Sequence, residues 1–178
     1  MAESTTPALE WWQRGPIEGI LPIFQPAAHA LLQSRDELQQ TLQNFPSALL
    51  WESIYSMASI GFHLQHIVGV LDRLYTYAKD KSLSDAQLSY LKTEGVQNEQ
   101  ITLEQLLEAV HAQVETCLQE LSTMREDAPT AVRFIGRKRI PTTQLGLVFH
   151  AAEHMMRHTG QALVTARVLQ EKAEHNIT

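Results

Sequence analysis

Three histidines recur at every fourth position near the end of the chain, at His150, His154 and His158. Positions four apart on an α-helix lie nearly above one another, so we expect the imidazoles of His154 and His158 to face one point in space. His150 lies one turn behind them, and Gln161 lies three residues past His158 on the same face. Two neutral imidazoles placed in this way supply half of a site for a divalent metal ion. The rest of the chain must supply the other half.

The second candidate source of metal ligands is the segment 60–79, in which His63 and His66 lie three positions apart. Apolar residues recur through this segment at helical spacing, and Ser59 before it is a suitable N-cap, so we expect a well-buried helix. One histidine from this helix and two from the last helix would give three neutral nitrogen ligands. A fourth position that stays open to water or substrate is characteristic of a catalytic metal site.

Polar neighbours of these histidines are candidates for contacting a substrate or for positioning a ligand. Arg73, at i+7 from His66, is placed to bind an anionic substrate or to pair with an acid. Glu153 is either an ordinary surface acid or an acceptor for the free N–H of a ligand histidine. Gln161 shares the face of the last two ligands. Gly69, one turn past His66, is interpreted as leaving room for a metal and its waters, at a cost of about 1 kcal/mol in helix propensity.

Helical periodicity predicts an all-α protein in which four long helices form a bundle. The long helices are expected at residues 27–45, 60–79, 102–124 and 143–172, with a short one at 85–91. Each long helix has one apolar stripe to bury, and the connections between the first three are long. The run 133–140 is basic and partly β-like, but no sheet is expected. Bundles of this kind place metal sites in the core, between facing helices.

The predicted domain organisation has three parts. Residues 1–26 contain four prolines and two glycines, which exclude a long helix, so we expect an N-terminal arm that wraps over the body or over a partner subunit. Residues 27–173 form the predicted bundle. Residues 174–178 are polar and are expected to fray as a tail.

Composition limits the classes of function. The chain has 178 residues, of which 44% are hydrophobic and 19% charged, which suits one globular domain. A formal net charge of -6 argues against attraction to nucleic acid or to anionic lipid. The single cysteine, Cys117, cannot form an internal disulfide, and its place on an apolar stripe indicates an inert buried thiol. No apolar run approaches the roughly 20 residues that cross a bilayer. We therefore predict a soluble cytoplasmic protein without nucleic-acid or membrane partners.

Three stretches of the chain together resemble the DinB-like (DinB/YfiT) superfamily of metal-binding four-helix bundles. They are the residues 59–67 (SIGFHLQHI), 71–78 (LDRLYTYA) and 152–161 (AEHMMRHTGQ), in that order. The similarity spans residues 27–172 and leaves the arm outside. Each motif is weak alone, and their combination is fairly specific.

The resemblance implies a metal-binding triad of one histidine on the second helix and two on the last, with H-x-x-x-H before a Gly-Gln pair. The matching positions are His66, His154 and His158, with His63 as the alternative one turn before His66. Members commonly bind Zn²⁺ or Ni²⁺ and often form homodimers. Relatives include S-transferases that use low-molecular-weight thiols, a maleylpyruvate isomerase and a domain of sulfoxide synthases. The substrate does not carry over from the family to this chain.

Two functions follow as hypotheses. The first is a metal-dependent enzyme of thiol S-transferase or related type, in which His66, His154 and His158 bind a divalent metal, with Zn²⁺ or Ni²⁺ expected. Arg73, Glu153 and Gln161 would then contact the ligands or a small-molecule substrate such as a low-molecular-weight thiol. A hydrolase that uses metal-activated water is less favoured. The alternative is a non-catalytic, dimeric metal-binding or structural bundle. The roles of His63 and His150 stay open.

Overall fold

The computed structural model describes residues 9–125 and 127–175 of the chain. Within these ranges the chain forms five α-helices, three short 3-10 helices (Trp11–Gln13, Pro22–Phe24 and Ser47–Leu49) and one β-hairpin. The helices are α1 (Gln25–Leu42), α2 (Ile60–Ala78), α3 (Asp85–Thr93), α4 (Leu103–Ser122) and α5 (Gln144–His175), and the strands are β1 (Val132–Ile135) and β2 (Ile140–Thr143). The first eight residues of the predicted arm and the last three of the predicted tail lie outside the described residues.

Side-chain caps determine where three of the helices begin. Ser59 accepts a hydrogen bond from the backbone N–H of Phe62 at the start of α2. Thr102 and Gln105 form a capping box before α4, as their spacing predicts, and Ser84 and Gln87 form another before α3. Each cap satisfies amide groups that a helix leaves without partners in its first turn. The start of α2 is therefore fixed six residues before His66.

The helices pack as a bundle around one hydrophobic core, which confirms the predicted fold class. The most extensive helix–helix contact joins α2 to α5, followed by the contacts of α1 with α5 and of α2 with α4. Leu64, Ile67 and Leu71 of α2 are fully buried, as are Val148 and Met155 of α5. Removing such side chains from water is the main stabilising term of a bundle, at roughly 1.5–3 kcal/mol for each one buried. The same packing brings the histidine-bearing faces of α2 and α5 together.

The expectation that the chain has no sheet is wrong. Residues 132–135 and 140–143 pair as an antiparallel hairpin, with Val132 opposite Thr143 and Ile135 opposite Ile140. Gly136 and Arg139 in the turn both have positive φ angles, of 62° and 47°. The strands have only four residues each, which is too short to show a clear alternation of apolar and polar residues. The hairpin leads directly into α5.

Helix ends differ from the predicted positions by one to three residues at most boundaries. α1 ends at Leu42 rather than at Phe45, although Phe45 is still buried. α3 ends at Thr93 rather than at Leu91, and α5 continues to His175. The shifts at the ends of α1 and α5 leave the site unchanged. The end of α3 matters, because it determines where the next residue, Glu94, is placed.

The described part of the N-terminal segment packs against the body of its own chain. The indole N–H of Trp11 donates to Asp36 at 2.7 Å, and the Trp11 amide donates to Gln33 at 3.1 Å. The Gln25 side chain bonds the backbone of Ile17 and Ile20. These contacts attach residues 11–20 to α1 of the same chain. Among the described residues, no helix combines the length and hydropathy that crossing a membrane requires.

Candidate metal centre

Helices α2 and α5 bring three histidines together in the interior of the bundle. His66 of α2 meets His154 and His158 of α5, and one ring nitrogen from each lies within 4.8 Å of the others. His66 Nε2 is 3.0 Å from His154 Nε2. The ring centroids of His154 and His158 are 4.7 Å apart, as expected for side chains one helical turn apart. All three side chains are partly buried. The three histidines predicted to share a metal are therefore neighbours in the fold.

The hydrogen bonds of the described residues leave Nε2 of each ring without a partner outside the three histidines. His66 Nδ1 contacts the Glu94 carboxylate at 2.7 Å, and His158 Nδ1 contacts His63 Nδ1 at 2.9 Å. In both rings Nε2 is therefore the nitrogen that remains for a metal. His154 presents its Nε2 to His66, whereas its Nδ1 is buried without a hydrogen-bond partner among the described residues. Three Nε2 atoms form a donor set that suits Zn²⁺ and other divalent transition metals.

Three histidines of this cluster, His63, His154 and His158, have pKa values below that of an exposed histidine. Burial, together with the positive charge that His66 would carry, lowers the pKa of His63 to about 4. Burial and then the neighbouring His66, His154 and His63 lower the pKa of His158 to about 4 as well. The pKa of His154 is also lowered, chiefly by burial. Neutral imidazole is the form that binds metal, so the environment prepares these rings as ligands near pH 7. The residues present therefore fit a divalent metal ion.

Glu94 is the functional residue that sequence reasoning missed. Its side chain is only 4% exposed, and it contacts both His66 and Arg73. Burial raises the pKa of the Glu94 carboxyl, but hydrogen bonds from His66 and Arg73 and their positive charge outweigh burial, so the pKa lies below its ordinary value. A glutamate that directly follows a short helix and precedes Gly95 shows no periodic signal in the sequence. The one available clue is the pair Glu94-Gly95, because Gly95 has a φ of 79°, which marks a tight turn.

The interpretation of Gly69 as room for a metal and its waters is wrong. A Cβ atom at this position would overlap the Glu94 carboxylate, and it would also lie 2.8 Å from the Tyr90 ring. Because Gly69 has no side chain, the carboxylate of Glu94 and the guanidinium of Arg73 can lie against the backbone of α2 at this position. Arg73, a candidate for contacting substrate, forms an ion pair with Glu94, with both side chains at most 10% exposed. The prediction that Arg73 pairs with an acid describes this contact.

His63 lies inside the cluster rather than at its surface. It is 4% exposed, and its Nδ1 contacts His158 as described above. The Phe62 ring stacks on His66, nearly parallel to it, at a centroid distance of 5.3 Å, and also lies 5.6 Å from His63. His63 thus contacts Nδ1 of the candidate ligand His158, as Glu94 contacts Nδ1 of the candidate ligand His66. Its spacing in the sequence indicated proximity to the site but not this contact.

The other predicted site residues occupy the rim. Glu153 does not reach a ligand histidine by hydrogen bond: it contacts His150 Nδ1 at 2.6 Å and Arg157 at 2.6 Å. His150 lies beside His154 with ring centroids 5.2 Å apart. His150, Glu153 and His154 also lie close enough to share a cation, although His150 is half-exposed. The described contacts place Glu153 next to the site without assigning it a ligand.

A groove of about 550 Å³ opens beside the histidine cluster. Its inner wall includes His63, and the rest of its lining is mainly apolar, with the polar side chains of Gln161 and Arg157 among it. Met57 and Val164 flank it and are both about half-exposed or more. The volume is in the range of sites that bind small molecules. A compound in this groove would lie directly against the residue that contacts His158.

Comparisons with known proteins agree with this architecture. The chain resembles a conserved protein of Enterococcus faecalis in a crystal structure, with a TM-score of 0.68, 17% identity, and coverage of 85% of this chain and 99% of the other. A Streptococcus pneumoniae protein structure gives a TM-score of 0.61 at 11% identity, with 83% and 90% coverage. No curated protein matches the chain. At these identities the structural matches establish the fold only. The sequence profile of the DinB superfamily matches residues 30–162, three quarters of the chain, and the protein therefore belongs to the DinB superfamily.

Proposed function

We propose that this protein is a metal-dependent enzyme of thiol S-transferase or related type. The observation that supports the proposal most directly is the convergence of His66, His154 and His158, whose ring nitrogens lie within 4.8 Å of one another in a partly buried space. Three nitrogen ligands leave a coordination position free for a reacting group. A divalent metal in such a site supplies a Lewis acid that lowers the pKa of a thiol or of water.

The groove is the proposed binding site for the substrate. His63 lines the groove and contacts His158, so a substrate in the groove would lie one residue away from the candidate ligands. Gln161 offers both a donor and an acceptor to a polar substrate, and Arg157 offers a positive charge to an anionic one. Apolar side chains such as Val164 would exclude water from the rest of the substrate. A low-molecular-weight thiol and an electrophile with an apolar body suit this lining.

Zn²⁺ and Ni²⁺ are the proposed metals. The donor set consists of imidazole nitrogens, which suit both ions, and the described ligands include no thiolate that would favour a softer metal. The reaction is proposed to take place in the cytoplasm, in keeping with a single cysteine that lies buried in the core.

The test is metal retention followed by thiol transfer. Wild-type protein, treated with chelator and then with Zn²⁺ or Ni²⁺, is expected to retain one equivalent after desalting. The double variant His66→Ala/His154→Ala is expected to retain none. Conjugation of a low-molecular-weight thiol to a fluorogenic alkyl bromide should stop on chelation and resume when the metal is restored. Equal metal content in wild type and double variant would contradict the proposal.

A non-catalytic metal-binding bundle is the second candidate. The observation in its favour is that the cluster joins α2 to α5, the two helices with the most extensive mutual contact. A metal at this position would stabilise the bundle whether or not it reacts. One experiment distinguishes the two functions. A large fall in melting temperature on chelation, without metal-dependent thiol conjugation, would support the non-catalytic bundle over the enzyme.

We also propose that a second copy of the chain covers an exposed apolar stripe on α5. Phe149, Met156 and Val164 are 65%, 49% and 63% exposed and lie on one face of the helix. Gly160 lies on the same face, and a Cβ atom added to it would meet no other described atom within 4 Å. Gly160 and Val164 also line the groove, so the second copy would form part of the wall of the proposed substrate site. If two α5 helices cross antiparallel at Gly160, Met156 meets Val164 and Glu153 meets Arg167 of the other copy. The opposite charges at 153 and 167 make this register complementary.

A further inference from the structure

The carboxylate of Glu94 reaches the histidine cluster from outside the two helices that carry the ligands. It lies one residue past the end of α3, and its side chain is almost completely buried. One oxygen, Oε2, lies 2.7 Å from His66 Nδ1. The other oxygen, Oε1, accepts a hydrogen bond from Arg73 Nη1, and Arg73 Nη2 lies 3.4 Å from Oε2. Glu94 therefore joins a ligand histidine to an arginine.

This contact determines which nitrogen of His66 carries the proton. An ionised carboxylate only accepts hydrogen bonds, so the nitrogen beside it, Nδ1, must be the N–H of the ring. In a neutral imidazole the other nitrogen, Nε2, then has the free lone pair. Nε2 is the atom that lies 3.0 Å from His154 Nε2 in the shared space. The hydrogen bond also raises the electron density that Nε2 offers to a metal.

Arg73 is oriented towards Glu94 and not towards the groove. Its side chain is 10% exposed and is absent from the groove lining, and it approaches both carboxylate oxygens. The positive charge beside the carboxylate favours its ionised form despite burial. Gly69 leaves the space on α2 in which this pair sits, because any side chain there would overlap it. The arginine, the glycine and His66 occupy i+7, i+3 and i on the same face of one helix.

The backbone around Glu94 is attached to the same helix. The Gly95 amide donates to the Gln65 side chain at 2.8 Å, and the Tyr90 hydroxyl donates to the Gln65 carbonyl oxygen at 3.1 Å. Both contacts lie one residue before His66. The segment that carries Glu94 is thus fixed next to the ligand that Glu94 contacts, which limits how far the carboxylate can move.

We propose that Glu94 is a positioning residue of the metal centre, which orients His66 and strengthens it as a ligand, and that Arg73 serves to hold Glu94 rather than to bind substrate. The inference rests on the proposed function in one respect, since it assumes that His66, His154 and His158 bind a metal. It assigns a role to a residue outside the triad. It also removes Arg73 from the set of groups available to a substrate.

The test uses Co²⁺ as a spectroscopic probe of the intact protein. Metal-free wild type, Glu94→Gln and the control Glu120→Gln are titrated with Co²⁺, and the visible absorption band is recorded. Glu120 is a matched control because it also pairs with a cation, Lys79, about 20 Å further along the axis of α2. Glu94→Gln is expected to raise the apparent Kd by about 10-fold to 100-fold and to change the position or intensity of the band. Glu120→Gln is expected to match wild type within about twofold.

The outcomes separate this inference from the metal centre itself. If wild type gives no Co²⁺ band, the triad does not bind metal and the proposed function fails. If wild type and Glu94→Gln share one Kd and one spectrum, only the role of Glu94 is wrong. Should Glu94→Gln fail to fold because Arg73 is left as an unpaired buried charge, the double variant Glu94→Gln/Arg73→Gln is titrated instead and judged by the same two results.

Discussion

Two of the three candidate ligand histidines form a hydrogen bond through the ring nitrogen that would not bind the metal, and their partners differ in chemistry. His66 is contacted by the carboxylate of Glu94, and His158 by the imidazole of His63. A carboxylate can only accept a proton from its histidine, whereas an imidazole nitrogen can either donate or accept. For His158 to offer Nε2 to a metal, its Nδ1 must carry the proton and His63 Nδ1 must accept it. His63, which lines the groove, then has a free Nε2–H to donate.

His63→Leu is predicted to weaken metal binding by about 10-fold, because it removes the acceptor for His158 Nδ1 while keeping a buried apolar volume. His63→Gln keeps an acceptor at a similar distance and is expected to recover part of the loss. Competition with a chromogenic chelator measures both affinities.

The matched control for His63 is His150→Leu, because His150 lies beside His154 without a hydrogen bond to any of the three ligands. We expect its affinity to lie within about twofold of wild type. An equal loss in the His150 and His63 variants would show that the contact with His158 has no special role.

Cys117 is predicted to be unreactive in the folded protein. Burial raises the pKa of its thiol to about 12, and no other cysteine is present to confuse the readout. Because the thiolate is the reacting form, an aromatic disulfide reagent at pH 8 should label the native protein very slowly and the urea-unfolded protein at once. Rapid labelling of one thiol per folded chain would contradict this assignment.

The same pKa shift gives a pH dependence of stability with a definite sign. An unfolded thiol ionises near pH 8.5, whereas the folded one stays protonated to about pH 12. The folded state therefore binds a proton that the unfolded state has lost in this window. Stability from this group is complete below about pH 8.5 and falls as the pH rises towards 12. Cys117→Ala should show a shallower decline of unfolding free energy between pH 9 and 11 than wild type.

At the scale of the elements, α2 and α5 each contain an interior glycine, but for different reasons. Gly69 faces the Glu94–Arg73 pair, which occupies the space that a side chain would need. Gly160 faces open space within its own chain. Glycine costs a helix about 0.5–1 kcal/mol relative to alanine, so the cost is compensated by an intramolecular contact only at Gly69.

The two glycines are predicted to respond to alanine with opposite signs. Gly69→Ala should lower the unfolding free energy of the metal-free protein by about 1–3 kcal/mol, because the new methyl group displaces a buried ion pair. Measured at concentrations below that at which the proposed dimer forms, Gly160→Ala should raise it by up to about 1 kcal/mol, because helix propensity is the only term that changes within the chain. Urea unfolding followed by circular dichroism measures both. A loss of stability in Gly160→Ala would mean that the open space beside it is needed.

The sequence reveals those parts of the site that lie on elements with a repeating pattern of residues. Repeating patterns locate His154 and His158, since one turn of helix fixes their relation. His66 follows from the resemblance and from its place on a buried helix. Glu94 depends on where a short helix ends and on the turn at Gly95, and neither has a period to detect. The hairpin was missed for the same reason, because strands of four residues are too short to show a period.

At the scale of the whole molecule, the stripe on α5 makes the oligomeric state a testable property. A homodimer is predicted to form through an antiparallel pair of α5 helices, with Glu153 of one copy opposite Arg167 of the other. Glu153→Arg and Arg167→Glu should each weaken the dimer by placing like charges together, and the double reversal should restore it. Sedimentation velocity across a range of concentrations measures the change. A monomeric wild type, or a double reversal no better than either single one, would contradict this register.

The position of the ligands along the chain has a consequence for folding. His66 and His154 are separated by 88 residues, so a metal that binds both closes a loop of that length. A covalent link across such a loop would reduce the entropy of the unfolded chain by an amount equivalent to about 4–5 kcal/mol at 25 °C. A metal acts as a link of this kind that chelation can remove. The loop includes α3, α4 and the hairpin, so the complete three-histidine site can form only after half of the chain has been brought together. We therefore expect capture of a metal by all three histidines to be a late event on the folding pathway.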